Sequence, residues 1–160
     1  MRTITKLTLL TILAFNLQSC TFVRFKDSEG GDKTTKVASK VRGSSSYEVA
    51  DFNSIDCTLP ADIEYYISDS KPSVTVEGPV NVLDQLQFEV IDGKLFMKPE
   101  ETLVMRSVSN LKIRLNSSSL EDVSIKGAGD FSIPDGLEAE SFNLTIQGAG
   151  DVDIDGLKCK

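Results

Sequence analysis

Ser124-Ile125-Lys126-Gly127-Ala128-Gly129-Asp130-Phe131-Ser132-Ile133 recurs 21 positions later as Thr145-Ile146-Gln147-Gly148-Ala149-Gly150-Asp151-Val152-Asp153-Ile154. Each copy runs on into Asp-Gly-Leu, at 135–137 and again 20 positions later at 155–157, so the second connecting loop is one residue shorter. Apolar residues alternate on both sides of the glycines: Val123 and Ile125, then Phe131 and Ile133; Leu144 and Ile146, then Val152 and Ile154. Period-two alternation marks strands with one buried face. A period near 20 with a turn in every unit predicts a β-solenoid, in which each coil buries its apolar row against the next. Two similar hairpins in a sandwich or small barrel are the competing arrangement.

Upstream of the repeats the chain reads as further strands. Ile63-Glu64-Tyr65-Tyr66-Ile67 is rich in aromatic and β-branched residues, and Ser73-Val74-Thr75-Val76-Glu77 alternates until Gly78-Pro79. Asn81 to Leu86 suits one helical turn or a corner. Leu86 to Val90 and Lys94 to Lys98 flank Asp92-Gly93, a strong two-residue turn signal. Leu111-Lys112-Ile113-Arg114-Leu115 puts apolar residues on one side and basic ones on the other. No apolar helical period lasts beyond about two turns, so the domain is expected to be all-β.

The N-terminus has a different character. Arg2 and Lys6 precede a nine-residue apolar run, Leu7 to Phe15, which is too short to span a bilayer, since spanning takes about 20 apolar residues. This is the pattern of a secretory signal. Leu17-Gln18-Ser19-Cys20 follows, and it resembles the bacterial lipoprotein box, in which the cysteine is acylated. Residues 1–19 are therefore expected to be a lipoprotein signal peptide, with Cys20 lipidated and the protein held to the outer membrane by its acyl chains. The mixed charges of Thr21 to Glu29 fit either a periplasmic or a cell-surface orientation. Residues 20–46, with Gly30-Gly31 and Ser44-Ser45-Ser46, read as a flexible tether. A capping strand over Lys36 to Val41 is the alternative. The folded domain is expected over 47–160, with Phe52 and Ile55 packing on the end of its core.

Charge excludes one class of partner. The 160-residue chain has 17 basic and 24 acidic residues; removal of Arg2 and Lys6 with the signal leaves 15 basic, a charge of −9. Binding to a nucleic-acid backbone needs a basic footprint, so no nucleic-acid partner is expected. Histidine is absent, which rules out His-based triads. Cys20, Cys57 and Cys159 are the only cysteines, and none forms a C-x-x-C pair. Cys57 and Cys159 are left as either a disulfide or two free thiols.

The repeats, the Cys20 signal and several upstream phrases together resemble one family of bacterial secreted proteins. These phrases are Val49 to Ile55, Val74 to Gly78, and Val90-Ile91-Asp92-Gly93-Lys94-Leu95. The family is the putative auto-transporter adhesin head GIN domain, common among Bacteroidetes-type lipoproteins. The resemblance covers about residues 47–160. It implies a single-stranded right-handed β-helix, an adhesive or binding role, and no catalytic residues. Family members often continue with further Gly-x-Gly-Asp coils, whereas this sequence stops at Leu157-Lys158-Cys159-Lys160, so either the chain is shortened or its open end pairs with something, self-association through the C-terminal coil being one form.

The repeat turns are Gly127, Ala128, Gly129, Asp130 and Gly148, Ala149, Gly150, Asp151. If a cation bound, Asp130 and Asp151, stacked one coil apart, would be its ligands. The preferred reading is structural, with no metal and no cofactor. Glycines relieve a tight backbone, alanines stack at a corner, and aspartates accept turn hydrogen bonds. The glycines lead straight into another strand, which removes the dinucleotide fingerprint. No carboxylate pair stands out for glycoside hydrolysis among Glu64, Glu77, Glu89 and Asp84. The expected role is a non-catalytic cell-envelope adhesin or binding module with a glycan or protein ligand. A carbohydrate-binding or carbohydrate-active β-helix protein is the alternative. One of Tyr65/Tyr66 and one of Leu95/Phe96 should face outward.

Overall fold

The computed structural model describes residues 39–100 and 111–159. The signal peptide and Cys20 lie outside the described residues, as does most of the expected tether. Among the described residues no helix is long and apolar enough to cross a membrane.

The protein is all-β, built from two main sheets of mixed strand direction. The repeats supply its plainest part. β8 (Asp122–Ala128), β9 (Phe131–Ile133) and β10 (Leu137–Ala139) form one coil; β11 (Asn143–Ala149), β12 (Val152–Ile154) and β13 (Leu157–Cys159) form the next. Each strand of the later coil pairs in parallel with its counterpart: Ile146 on Ile125, Ala149 on Ala128, Val152 on Phe131, Leu157 on Leu137. Parallel in-register pairing keeps like side chains on like faces, so the apolar rows coincide inside and the polar rows outside.

A third coil is present that the repeat alone does not reveal. β2 (Ser54–Cys57) pairs in parallel with β8, Ile55 on Val123, and β3 (Ala61–Ile67) pairs in parallel with β9, Ile63 on Phe131. Both registers share one offset, so Leu59-Pro60-Ala61-Asp62 occupies the place of Gly127-Ala128-Gly129-Asp130. On the far side of this coil β6 (Lys94–Pro99) pairs in parallel with β2, and β7 (Leu111–Ser117) with β3. The spatial order of the layers is thus β6 with β7, β2 with β3, β8 to β10, then β11 to β13, which is not the order of the chain.

Beyond β6 and β7 the pattern changes. β5 (Leu86–Ile91) and β4 (Ser73–Pro79) add antiparallel to β6 and β7, and β1 (Arg42–Glu48) adds antiparallel to β4. Coils of about 20 residues therefore do not run through the whole domain; its N-terminal end is finished by antiparallel strands. The expected tether is corrected over 42–46, which lie in β1. The segment Arg-Gly-Ser-Ser-Ser lacks apolar alternation because β1 is an edge strand. Its small residues admit the one-turn helix α1 (Val80–Leu83): a side chain at Gly43 would press on Val80 and Leu83.

The core lies between the sheets. Ile55, Leu59, Tyr65, Val74, Leu95, Ile113, Val123 and Phe131 are fully buried, and Phe52 joins them at its edge. Burial of each such side chain contributes roughly 1.5–3 kcal/mol before entropy is counted. Ser117 is buried too, and it is satisfied: its Oγ lies 2.8 Å from the Tyr65 hydroxyl and donates to the Ser119 carbonyl at 3.0 Å. Tyr65 and Leu95 point in, while Tyr66 and Phe96 are half-exposed, as alternation requires. Asp92 (φ 51°) and Gly93 (φ 76°) make the tight β5–β6 turn, where two left-handed residues suit the strand twist. The core is covered at one end by Val82 and Leu83 of α1 and by the Tyr47–Phe88 contact, with centroids 5.0 Å apart. At the other end Val152 and Leu157 stay 45% and 48% exposed.

Cys57 and Cys159 are both free thiols: Cys57 is buried in the 54–67 coil, and Cys159 is exposed on the coil farthest toward the C-terminus. The disulfide alternative is thereby removed. Burial, first of all, pushes the Cys57 thiol up to about 11, against the Leu59 amide N–H that reaches its sulfur at 3.4 Å.

Candidate functional site

The outer face of the sheet β1-β4-β7-β3-β9-β12 carries polar residues in rows that cross the strands. One row runs Glu77, Lys112, Asp62; the next runs Thr75, Arg114, Glu64, Ser132, Asp153. Strand alternation places these side chains outside because Val76, Ile113, Ile63 and Phe131 between them point into the core. The rows border a shallow groove of about 380 Å³. Its walls are Asp62, Glu64, Lys112 and Arg114 on one side, and Asp130, Ser132, Asp151 and Asp153 on the other.

Arg114 sits between two carboxylates. Its Nε donates to Glu64 at 2.9 Å and its Nη1 to Glu77 at 2.7 Å. Its hydrogen bonds to Glu64, then to Glu77, raise the guanidinium above its usual range, so it stays charged at any working pH. The Tyr66 hydroxyl donates to Glu64 Oε2 at 3.3 Å, and desolvation, with Glu64 adding to it, raises the phenol. These contacts join Arg114, Glu64, Glu77 and Tyr66 at one side of the groove. The opposite side carries only acids and Ser132.

The repeat aspartates are joined to the backbone across coils rather than within their own turn. Asp62 Oδ1 accepts the Asp130 N–H at 3.2 Å, and Asp130 Oδ1 accepts the Asp151 N–H at 2.9 Å. Each carboxylate thus satisfies an amide of the coil above. Local turn hydrogen bonds, the sequence expectation, are replaced by this ladder. Asp62 is the member that sequence reasoning missed. Its signal is faint: a small residue, Ala61, precedes it as Gly129 precedes Asp130, and an apolar alternation flanks both.

The glycines answer to the same stacking. A side chain on Gly148 would collide with the Gly127 carbonyl beneath it, and one on Gly129 with the Ala61 carbonyl. Gly129 also has φ +146°, which only glycine adopts freely. The glycines therefore serve close approach between coils. Ala128 and Ala149 stack in register on the outside of the corner and are exposed. No group of three or more His, Cys, Asp or Glu that could hold a metal occurs among the described residues.

Strand–turn–strand units stacked in parallel, closed at one end by antiparallel strands and faced by polar ladders, define the class: an all-β repeat domain with a charged display face. The chain belongs to the family described as "Putative auto-transporter adhesin, head GIN domain", whose model matches residues 51–160. Among solved structures it is similar to one described as a putative adhesin from Bacteroides fragilis, with 32% identity and a TM-score of 0.72 over 78% of this chain and 58% of that one. It shares its fold with a structure described as a putative lipid binding protein from Parabacteroides distasonis (24% identity, TM-score 0.67, 76% of this chain and 52% of that one). A structure described as a putative adhesin from Parabacteroides merdae shares the fold at 17% identity and a TM-score of 0.64, over 76% and 55% of the two chains. The chain therefore spans a little over half the length of these solved relatives. No curated protein matches it.

Proposed function

We infer that the protein is a non-catalytic binding module of the bacterial cell envelope, held to the outer membrane through lipidated Cys20 and presenting the groove of the six-stranded sheet to a hydroxyl-rich ligand, a surface glycan. In this reading the stacked coils form a right-handed β-solenoid that acts as a rigid support. The observation that carries it is the groove itself. Carboxylates, a serine and two cations line about 380 Å³ on strands whose positions are fixed by the core. A sugar offers many donors and acceptors in a fixed array, and acceptor carboxylates with adjacent cations suit it. Kinship with a structure described as a putative adhesin, at 32% identity, supports a binding role.

The test is a glycan array probed with the purified full chain, beside Asp153→Arg and Lys112→Glu. Saturable binding, competed by the free glycan and weakened at least tenfold in both variants, is the expected result. A blank array with protein folded by circular dichroism would remove the glycan reading. Binding that both variants retain would move the ligand elsewhere.

A further inference from the structure

Among the described residues Val41 is the most exposed large apolar one, at 64%, and Val80 is 40% exposed. The two belong to one patch, because the Val80 N–H donates to the Val41 carbonyl at 3.1 Å. α1 turns Val82 and Leu83 into the core and leaves its first residue, Val80, outside. Single exposed valines are ordinary on a protein surface. This pair differs in its surroundings. Lys40 and Arg42 flank Val41, and both are exposed. The patch also sits where the chain enters the domain. The Ser39 amide donates to Asn81 Oδ1 of α1 at 2.7 Å, and the Val41 amide to Ser39 Oγ at 3.1 Å. This entry point comes 19 residues after Cys20, a reach of at most about 65 Å.

Apolar tips between long cations suit a surface that settles into lipid headgroups. The valines enter the boundary between headgroups and acyl chains, while the Lys40 and Arg42 stems reach back to the phosphates. The chain as a whole is acidic, with a net charge of −7, so an anionic surface attracts this corner and repels the remainder. Two valines would not hold a free protein on a membrane. A chain already anchored nearby meets the bilayer at roughly millimolar effective concentration, where a weak contact is enough.

We propose that Lys40, Val41, Arg42 and Val80 form a docking surface for the phospholipid bilayer that carries the acylated Cys20. The proposal rests on the reading of Cys20 as lipidated. Docking here also orients the domain. β1 is one edge of the six-stranded sheet, and β3 and β9, which bear Glu64 and Ser132 of the groove, lie three and four strands further on. At about 4.8 Å per strand the groove then stands roughly 14–19 Å along the sheet from the docked edge, displayed away from the bilayer.

The test uses the full chain carrying Cys159→Ser, purified from its host membrane and weighed by mass spectrometry. An environment-sensitive fluorophore is attached at Val80→Cys, where it stands in for the valine, or at Thr145→Cys. Cys57 is buried and takes no label, and Thr145 is exposed on β11 of the other sheet. The chain is reconstituted in vesicles of phosphatidylethanolamine with phosphatidylglycerol, or with phosphatidylcholine in its place, containing a nitroxide lipid as quencher. The expected result is several-fold stronger quenching at 80 than at 145 in the anionic vesicles. That difference should shrink in the zwitterionic vesicles and in the Lys40→Glu, Arg42→Glu double variant. Equal quenching at the two positions in an acylated chain would overturn the docking and leave the anchor standing. A preference for position 80 indifferent to both lipid charge and the charge reversal would overturn the headgroup contact. A mass showing Cys20 unacylated would overturn the anchor, and the docking with it.

Discussion

Replacing Gly129 by alanine separates two costs that the fold imposes at the corner. The new methyl would meet the Ala61 carbonyl of the adjacent coil, and the backbone would have to hold φ +146°. Strain at a backbone angle open only to glycine costs about 1–3 kcal/mol, and forcing a methyl into filled space costs about 1–3 kcal/mol more. The sum, about 4 kcal/mol, is a large share of a typical stability of about 5–15 kcal/mol. Gly156 is the control: φ is +84° and nothing lies within 4 Å of an added methyl. Gly156→Ala should therefore lose only the backbone part, about 1–2 kcal/mol. Urea unfolding followed by circular dichroism reads the difference. At a slope of about 2 kcal/mol per molar urea, Gly129→Ala should move the midpoint down by about 2 M and Gly156→Ala by less than about 1 M. Equal shifts for the two would refute the argument that close stacking on the 54–67 coil, rather than turn conformation, selects glycine at 129.

Asp130→Ala removes the acceptor for the Asp151 amide and should cost about 1 kcal/mol, while Asp130→Asn keeps an acceptor oxygen and relieves charge beside Asp62 and Asp151; a midpoint in urea no higher for Asn than for Ala would count against the ladder. For Cys57 the sign follows from a thiol raised from 9.0 to about 11 in the fold: its contribution is whole below pH 9 and is lost as pH rises from 9 to 11, because the unfolded chain ionises first. The loss should approach roughly 2–3 kcal/mol, seen as a steeper fall of the urea midpoint in wild type than in Cys57→Ala over that range, and parallel profiles would show that the buried thiol does not titrate this way.

Much of the architecture can be read from residues alone. Alternation placed Phe131, Ile133, Val123 and Ile125 inward, the Asp92-Gly93 pair marked its turn, and the 21- and 20-residue offsets of the repeats reappear as the registers of β12 on β9 and β13 on β10. What could not be read has physical causes. β1 is an edge strand whose Gly43, Ser44, Ser45 and Ser46 satisfy backbone pairing without an apolar pattern. Register in parallel sheets is set by distant partners, so nothing local in Leu59-Pro60-Ala61-Asp62 announces that it stacks beneath Gly127 to Asp130. The groove suffers the same blindness: its acids look like ordinary solvent-face residues until Lys112, Asp62 and Asp130 are brought side by side by strands far apart in the chain.

The interleaved order of the coils also governs how the domain can come into being. The 54–67 segment lies between β6 and β7 on one side and β8 and β9 on the other, all made after it. As the chain emerges, its fully apolar inner row has no neighbour on either side until the later strands arrive. A stack laid down in sequence order can grow one unit at a time; this one must insert its second layer between strands yet to come. Pairing of the 54–67 segment on both sides is therefore complete only once residues through Ile133 are available.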